Sequence, residues 1–153
     1  MKTLDTRTLN ERLDELEAKC DALTEARDSL NDAKTARHYE NREEGDTEHL
    51  DKGIEDAQAR VDHAEIDFDE SEQEELTELE SLRDEISEWK DGATLVAERD
   101  FEEYARQLAE DLGAISEESS WPCNCIDWAR AADELKMDYS EVTYQGTTYL
   151  YRS

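Results

Sequence analysis

Leu9, Leu13, Leu16, Cys20, Leu23 and Leu30 recur at alternating spacings of four and three residues, with Arg27 filling the seam position before Leu30. Residues so spaced share one face of an α-helix and cannot share one face of a strand. The first forty residues are therefore held to a long amphipathic helix that needs an apolar partner. A second seam, Leu50, Ile54, Ala57, Val61, Ala64 and Phe68, follows Gly45-Asp46-Thr47, a turn in which Asp46 or Thr47 serves as N-cap. The seam resumes at Leu79, Leu82, Ile86 and Trp89 in a displaced frame, which marks a stutter, and Asp91-Gly92 closes it as a left-handed glycine cap. These spacings predict helices over 8–40 and 47–91, an acidic helical hairpin or coiled coil occupying 1–92, whose second arm is longer by about a dozen residues.

Composition changes after Gly92, and 93–153 reads as a small α+β domain of two helices and a short antiparallel sheet, so the fold class is mainly α. Thr94 to Glu98 is a candidate strand. Asp100 is placed to cap a helix with Phe101, Tyr104, Ala105, Leu108 and Leu112 on one face, ended by Gly113. After a loop over 116–122, a helix over 126–137 should bury Trp128, Ala131, Ala132 and Leu135. A hairpin across Gln145-Gly146 then pairs Val142 with Tyr149 and puts Val142, Tyr144, Tyr149 and Tyr151 on one face.

Charge is the main functional clue. The chain carries 17 basic and 44 acidic residues, a net charge of -27 on 153 residues. A small domain needs a net charge of only about 2–8 for solubility, and self-repulsion beyond that costs stability, so the charge is expected to serve a basic partner. Ten carboxylates, Asp62, Glu65, Asp67, Asp69, Glu70, Glu72, Glu74, Glu75, Glu78 and Glu80, fall within 62–80, which has no Lys or Arg. On one continuous helix they would lie along about 28 Å, one for each ~2.8 Å of axis, against one phosphate per ~3.4 Å on a DNA strand. They form the candidate partner-binding surface. The alternative is a solvated face on a coiled-coil adaptor, since charge runs commonly do no more than keep a helix soluble.

Other chemistry is poorly supplied. Asp67-Phe68-Asp69-Glu70-Ser71 has the opening of a calcium loop, with Glu78 at the twelfth position, but Glu72 stands where the sharp turn demands Gly. Cys123-Asn124-Cys125 is half a zinc site without a second pair, and His38, His49 and His63 lie in the hairpin. No nucleophile and base are paired and no Gly-rich phosphate loop is present, so no enzyme, cofactor or metal is expected. Trp121 and Trp128 read as core anchors, or, for Trp121 in its loop, as an interface residue. Three cysteines, the opening Met1-Lys2-Thr3-Leu4-Asp5 and the lack of a long apolar run predict a cytoplasmic protein without a disulfide framework. An acidic chain is expected to avoid nucleic acid and membrane alike.

Phe101-Glu102-Glu103-Tyr104-Ala105, Leu108-Ala109-Glu110-Asp111-Leu112-Gly113-Ala114-Ile115, Trp121-Pro122, Ile126-Asp127-Trp128, Ala131-Ala132, Glu134-Leu135, Met137-Asp138-Tyr139, Gly146 and Tyr149 follow one another in an order that resembles the C-terminal domain of ArdA antirestriction proteins. The resemblance covers about 60 residues. It implies an elongated acidic dimer that imitates bent B-form DNA and occupies the DNA-binding groove of a type I restriction-modification enzyme. The family's β-containing N-terminal domain and middle helical domain have no counterpart in 1–92, and Ala129-Arg130 stands where the family often has an acidic residue after the tryptophan. No binding residue is carried over. The expectation is a phage or mobile-element inhibitor of a host defence nuclease, either a restriction-modification enzyme or a CRISPR effector. It is further expected to be a homodimer, because the overhanging Leu79, Leu82, Ile86 and Trp89 need cover from the C-terminal domain or from a second subunit.

Overall fold

A computed structural model describes residues 1–40, 47–116, 121 and 123–152; Gly45, Asp46, Pro122 and most of the loop over 116–122 lie outside the described residues. Helix accounts for 69% of the described residues, in five α-helices and two short 3-10 turns beside a four-stranded antiparallel sheet, which is the mainly α architecture read from the sequence. The helices are α1 (Thr6–Glu40), α2 (Glu48–Asp67), α3 (Glu70–Glu85), α4 (Phe101–Asp111) and α5 (Trp128–Lys136), and the strands are β1 (Thr3–Asp5), β2 (Thr94–Ala97), β3 (Tyr139–Tyr144) and β4 (Thr147–Arg152). The chain forms two compact units, one of Met1–Glu11 with Glu78–Ser153 and one of Arg12–Thr77. These units do not coincide with a division at residue 92.

The first unit is built on the sheet, in the order β1-β2-β4-β3. Val142 pairs with Tyr149 across a turn at Gln145-Gly146, as their spacing requires, and both turn residues take positive φ. Val142, Tyr144, Tyr149 and Tyr151 share a face with Leu95, and all are buried. The opposite face carries Val96 and Leu150, which join Phe101, Ala105 and Ala132 of α4 and α5 in a core flanked by Tyr104, Leu135 and Tyr139. Helices α4 and α5 thus cover the face away from the paired tyrosines. The expected overhang residues Leu79, Leu82, Ile86 and Trp89 belong to this unit and are each 2% exposed or less in the chain.

Strand β1 was not legible in the sequence. Three residues are too short for a period, yet Thr3, Leu4 and Asp5 pair with Val96, Leu95 and Thr94. Thr6, fully buried, ties the join: its hydroxyl donates to the Trp89 carbonyl and accepts from the Ala93 amide, both at 2.8 Å. Trp89 Nε1 donates to Asn10 Oδ1 at 2.8 Å.

The second unit pairs α1 with α2 and the start of α3. Leu13, Leu16, Leu23 and Leu30 of α1 and Ala57, Val61 and Phe68 are buried, while Cys20 is half-buried and Arg27 exposed. The continuous second helix over 47–91 does not form. It breaks at Phe68-Asp69, where the seam changes frame: the Phe68 amide still bonds the Ala64 carbonyl, and Asp69 Oδ1 then accepts the Glu72 amide at 2.9 Å as the cap of α3. Helix α3 also ends at Glu85, six residues before Asp91, although Gly92 does take a left-handed φ of 95°.

Further differences concern caps and faces. Thr47 makes no side-chain cap bond, and its carbonyl accepts the Leu50 and Asp51 amides. Asp100 does not cap α4, because its carboxylate accepts the Lys2 amide instead. Asp127 does cap α5, accepting the Arg130 amide. Of the residues assigned to buried faces, Leu112 is 74% exposed and Trp128 half-buried.

Candidate functional site

The ten carboxylates of 62–80 do not form one helical track. Asp62, Glu65 and Asp67 end α2, Asp69 sits in the break, and the rest lie on α3, with Glu78 and Glu80 in the sheet-bearing unit. Their partners divide them further. Stepping back from Leu79 by four and then three residues reaches Glu75 and Glu72, so these two occupy seam positions and turn toward α1. Arg12 meets them there: its guanidinium lies 2.8 Å from Glu75, 3.0 Å from Glu72 and 3.0 Å from Glu15. Lys19 Nζ lies 2.9 Å from Glu72 and donates to the Asp67 carbonyl. The hydrogen bond to Glu75 holds the Arg12 guanidinium charged well above its ordinary range. The Lys19 bond pulls the Glu72 carboxyl below the ordinary glutamate range, and Glu72 raises Lys19 in return.

Glu65 is bound by Arg27 at 2.9 Å, Asp62 accepts from Gln58, and Glu78 accepts the Gln145 amide. Glu70, Glu74 and Glu80 have no partner among the described residues, and Glu70 and Glu74 are exposed. Of the ten, Glu72, Glu75 and Glu80 are half-buried and the other seven exposed, so the stretch pairs part of its charge with Arg12, Lys19 and Arg27 and keeps most of its carboxylates at the surface. Sequence density signals negative charge but not its direction.

A different track escaped that measure. On α1, Asp14, Glu17, Asp21, Glu25, Asp28 and Asp32 follow one another at steps of three or four, so they share a helix face, and between residues 12 and 40 no Lys or Arg shares it. All are exposed except Glu17, which is half-buried. They span about 27 Å at 1.5 Å per residue. Glu55, Asp56 and Asp62 of α2 add exposed acids to the same unit. The six of α1 give about one charge per 5 Å of axis, sparser than the ~3.4 Å phosphate rise of one DNA strand. Within the unit, 23 acidic residues stand against 8 basic ones.

Among the described residues no group of three or more His, Cys, Asp or Glu converges to hold a metal ion. Asp67 and Asp69 of the calcium-loop pattern end one helix and cap the next. Cys20 and Cys123 are half-buried free thiols, and Cys125 is exposed. Tyr104 and Tyr139 join hydroxyls at 2.9 Å, and burial first, then that bond, pushes Tyr139 far above its ordinary value. Trp121, at 79% exposed, is no core anchor. No helix among the described residues is long and apolar enough to cross a membrane. Comparison with known protein families, with curated proteins and with solved structures finds no match for this chain.

Proposed function

We propose that the protein is a non-enzymatic DNA mimic. It acts in the cytoplasm by occupying the Lys/Arg-lined groove of a DNA-binding defence nuclease, a restriction-modification enzyme or a CRISPR effector. The observation that carries this reading is the α1 track, an uninterrupted file of six carboxylates at about one per 5 Å of axis, on a helix braced from behind by Arg12, Lys19 and Arg27. A groove built for DNA gains from such a file what it gains from a phosphate strand: neutralisation of its cations and release of counterions. The likeness of 101–149 to the C-terminal domain of ArdA proteins points to the type I restriction-modification enzymes as the first target to test.

The second reading, a coiled-coil adaptor, draws on the same braces, since Arg27–Glu65 and Arg37–Asp51 pair α1 with α2 as interhelical ion pairs do in coiled coils. Reversing Asp21, Glu25 and Asp28 to Lys separates the two. A mimic loses its competition with duplex DNA for the nuclease by at least about a hundredfold, because three attractive contacts become repulsive. Reversal of Glu70 and Glu74 to Lys is expected to cost less. Undiminished competition by the triple variant would refute mimicry through α1.

A further inference from the structure

The sheet has two edges, and they differ. Strand β1 offers three residues, whereas β3 offers six, paired residue for residue with β4 and with no other strand. The two-residue turn at Gln145-Gly146 fixes which backbone groups of β3 look outward. Tyr144 and Thr147 close that turn and exchange both of their hydrogen bonds, so the ladder alternates from there. Ser140, Val142 and Tyr144 turn their backbone groups toward β4, and Tyr139, Glu141 and Thr143 turn theirs away from it. Glu141 and Thr143 are exposed, and their outward amides and carbonyls bond no other element among the described residues. Open edges are commonly blunted by Lys, by Pro, by a bulge or by brevity. Strand β3 has none of these: its register is unbroken over its whole length, and its one charged side chain is Glu141.

We propose that β3 is a docking edge for an extended basic segment of a partner protein, which adds to the sheet as a further strand with Lys or Arg opposite Glu141. Main-chain bonds to Glu141 and Thr143 supply the affinity, and the side chain facing Glu141 supplies the choice of partner. Charge selects this occupant. Glu141 and Asp138 are both exposed at the edge, and Glu78 accepts the Gln145 amide at the turn. A chain at -27 draws basic segments and repels acidic ones. A second copy meets opposition along this edge, because two β3 strands paired about a two-fold axis set Glu141 of each opposite or diagonal to its counterpart, and like charges so placed are destabilising. The proposal does not depend on the proposed function.

Amide NMR on the full-length protein, titrated with a capped synthetic peptide of about eight residues alternating Lys and Val, tests it. On saturation the Glu141 and Thr143 amides should shift and exchange with solvent at least about tenfold more slowly, while the Val142 amide, already bonded to β4, changes little. The same peptide N-methylated at each Lys keeps its charge and loses the donors that face β3, so it should bind at least about tenfold more weakly. Thr143→Pro removes an outward amide and leaves the β3–β4 ladder whole, the kind of edge position that tolerates proline. It should weaken the unmethylated peptide at least about fivefold, with slow exchange at Val142 reporting an intact strand. Glu141→Lys should turn the preference to a peptide alternating Glu and Val. Absence of binding, equal binding of the methylated and unmethylated peptides, or shifts confined to the α1 acids would overturn the proposal. Protection of Glu141 and Thr143 that rises with protein concentration in the absence of peptide would overturn it by giving the edge to a second copy.

Discussion

Replacing Thr6 by valine keeps the shape of a fully buried side chain and removes one oxygen. That oxygen makes two buried hydrogen bonds, donating to the Trp89 carbonyl and accepting from the Ala93 amide, each at 2.8 Å. A typical net bond is worth about 0.5–1.5 kcal/mol, and a buried partner left unsatisfied costs about 1–3 kcal/mol. Two partners are affected and some relaxation is available through the remaining Thr6 amide bond to the Ala93 carbonyl. The expected loss is about 2–4 kcal/mol, measured by urea unfolding, or a fall in Tm of roughly 5–15 °C for a chain of this size. Thr6→Ser keeps the hydroxyl and should cost about 1 kcal/mol, the worth of one buried methyl. A Thr6→Val protein within about 0.5 kcal/mol of wild type would refute the claim that this hydroxyl anchors β1 and the start of α1 to the segment after α3.

Three further outcomes are expected. Glu72 has its carboxyl depressed by Lys19, so its contribution is present above the ordinary value of 4.5 and is lost as pH falls through the depressed one. Glu72→Gln should therefore cost about 1 kcal/mol at pH 7, with the gap to wild type closing in urea titrations as pH falls below the ordinary value and through the depressed one. Gly53 lies inside α2 with open space where a Cβ would sit, so Gly53→Ala should stabilise by about 0.5–1 kcal/mol, whereas Gly92→Ala, at φ 95° and against the Arg7 guanidinium, should destabilise by about 1–2 kcal/mol. Raising salt from about 20 to 500 mM should raise Tm, because screening self-repulsion at -27 outweighs the loss of exposed ion pairs.

Periodicity carried the parts of the fold with enough residues to show a period. Helix α1 and the β3–β4 register followed from seam, alternation and turn chemistry, while Gly92 takes the expected positive φ without capping α3, which ends at Glu85. Strand β1 did not, because it is held by pairing to β2 and by Thr6, and three residues hold no pattern of their own. The break at Phe68-Asp69 was present in the sequence as a frame change, but a frame change is equally compatible with a stutter inside one helix. The site was legible in charge and illegible in direction. Density drew attention to 62–80, where seam positions turn Glu72 and Glu75 inward to Arg12, while the sparser α1 acids form the continuous outward file. Helical phase, more than local count, separates the two.

The central claim is that this surface takes the place of DNA. A type I restriction-modification enzyme bound to a labelled duplex at moderate salt, titrated with the full-length protein, tests it most directly. Mimicry predicts that duplex is released as protein is added, that apparent affinity for the protein falls as duplex concentration rises, and that no complex holding both is formed. A complex that retains duplex and protein together, or an enzyme that ignores the protein at every concentration, would contradict competition in the DNA groove of that enzyme.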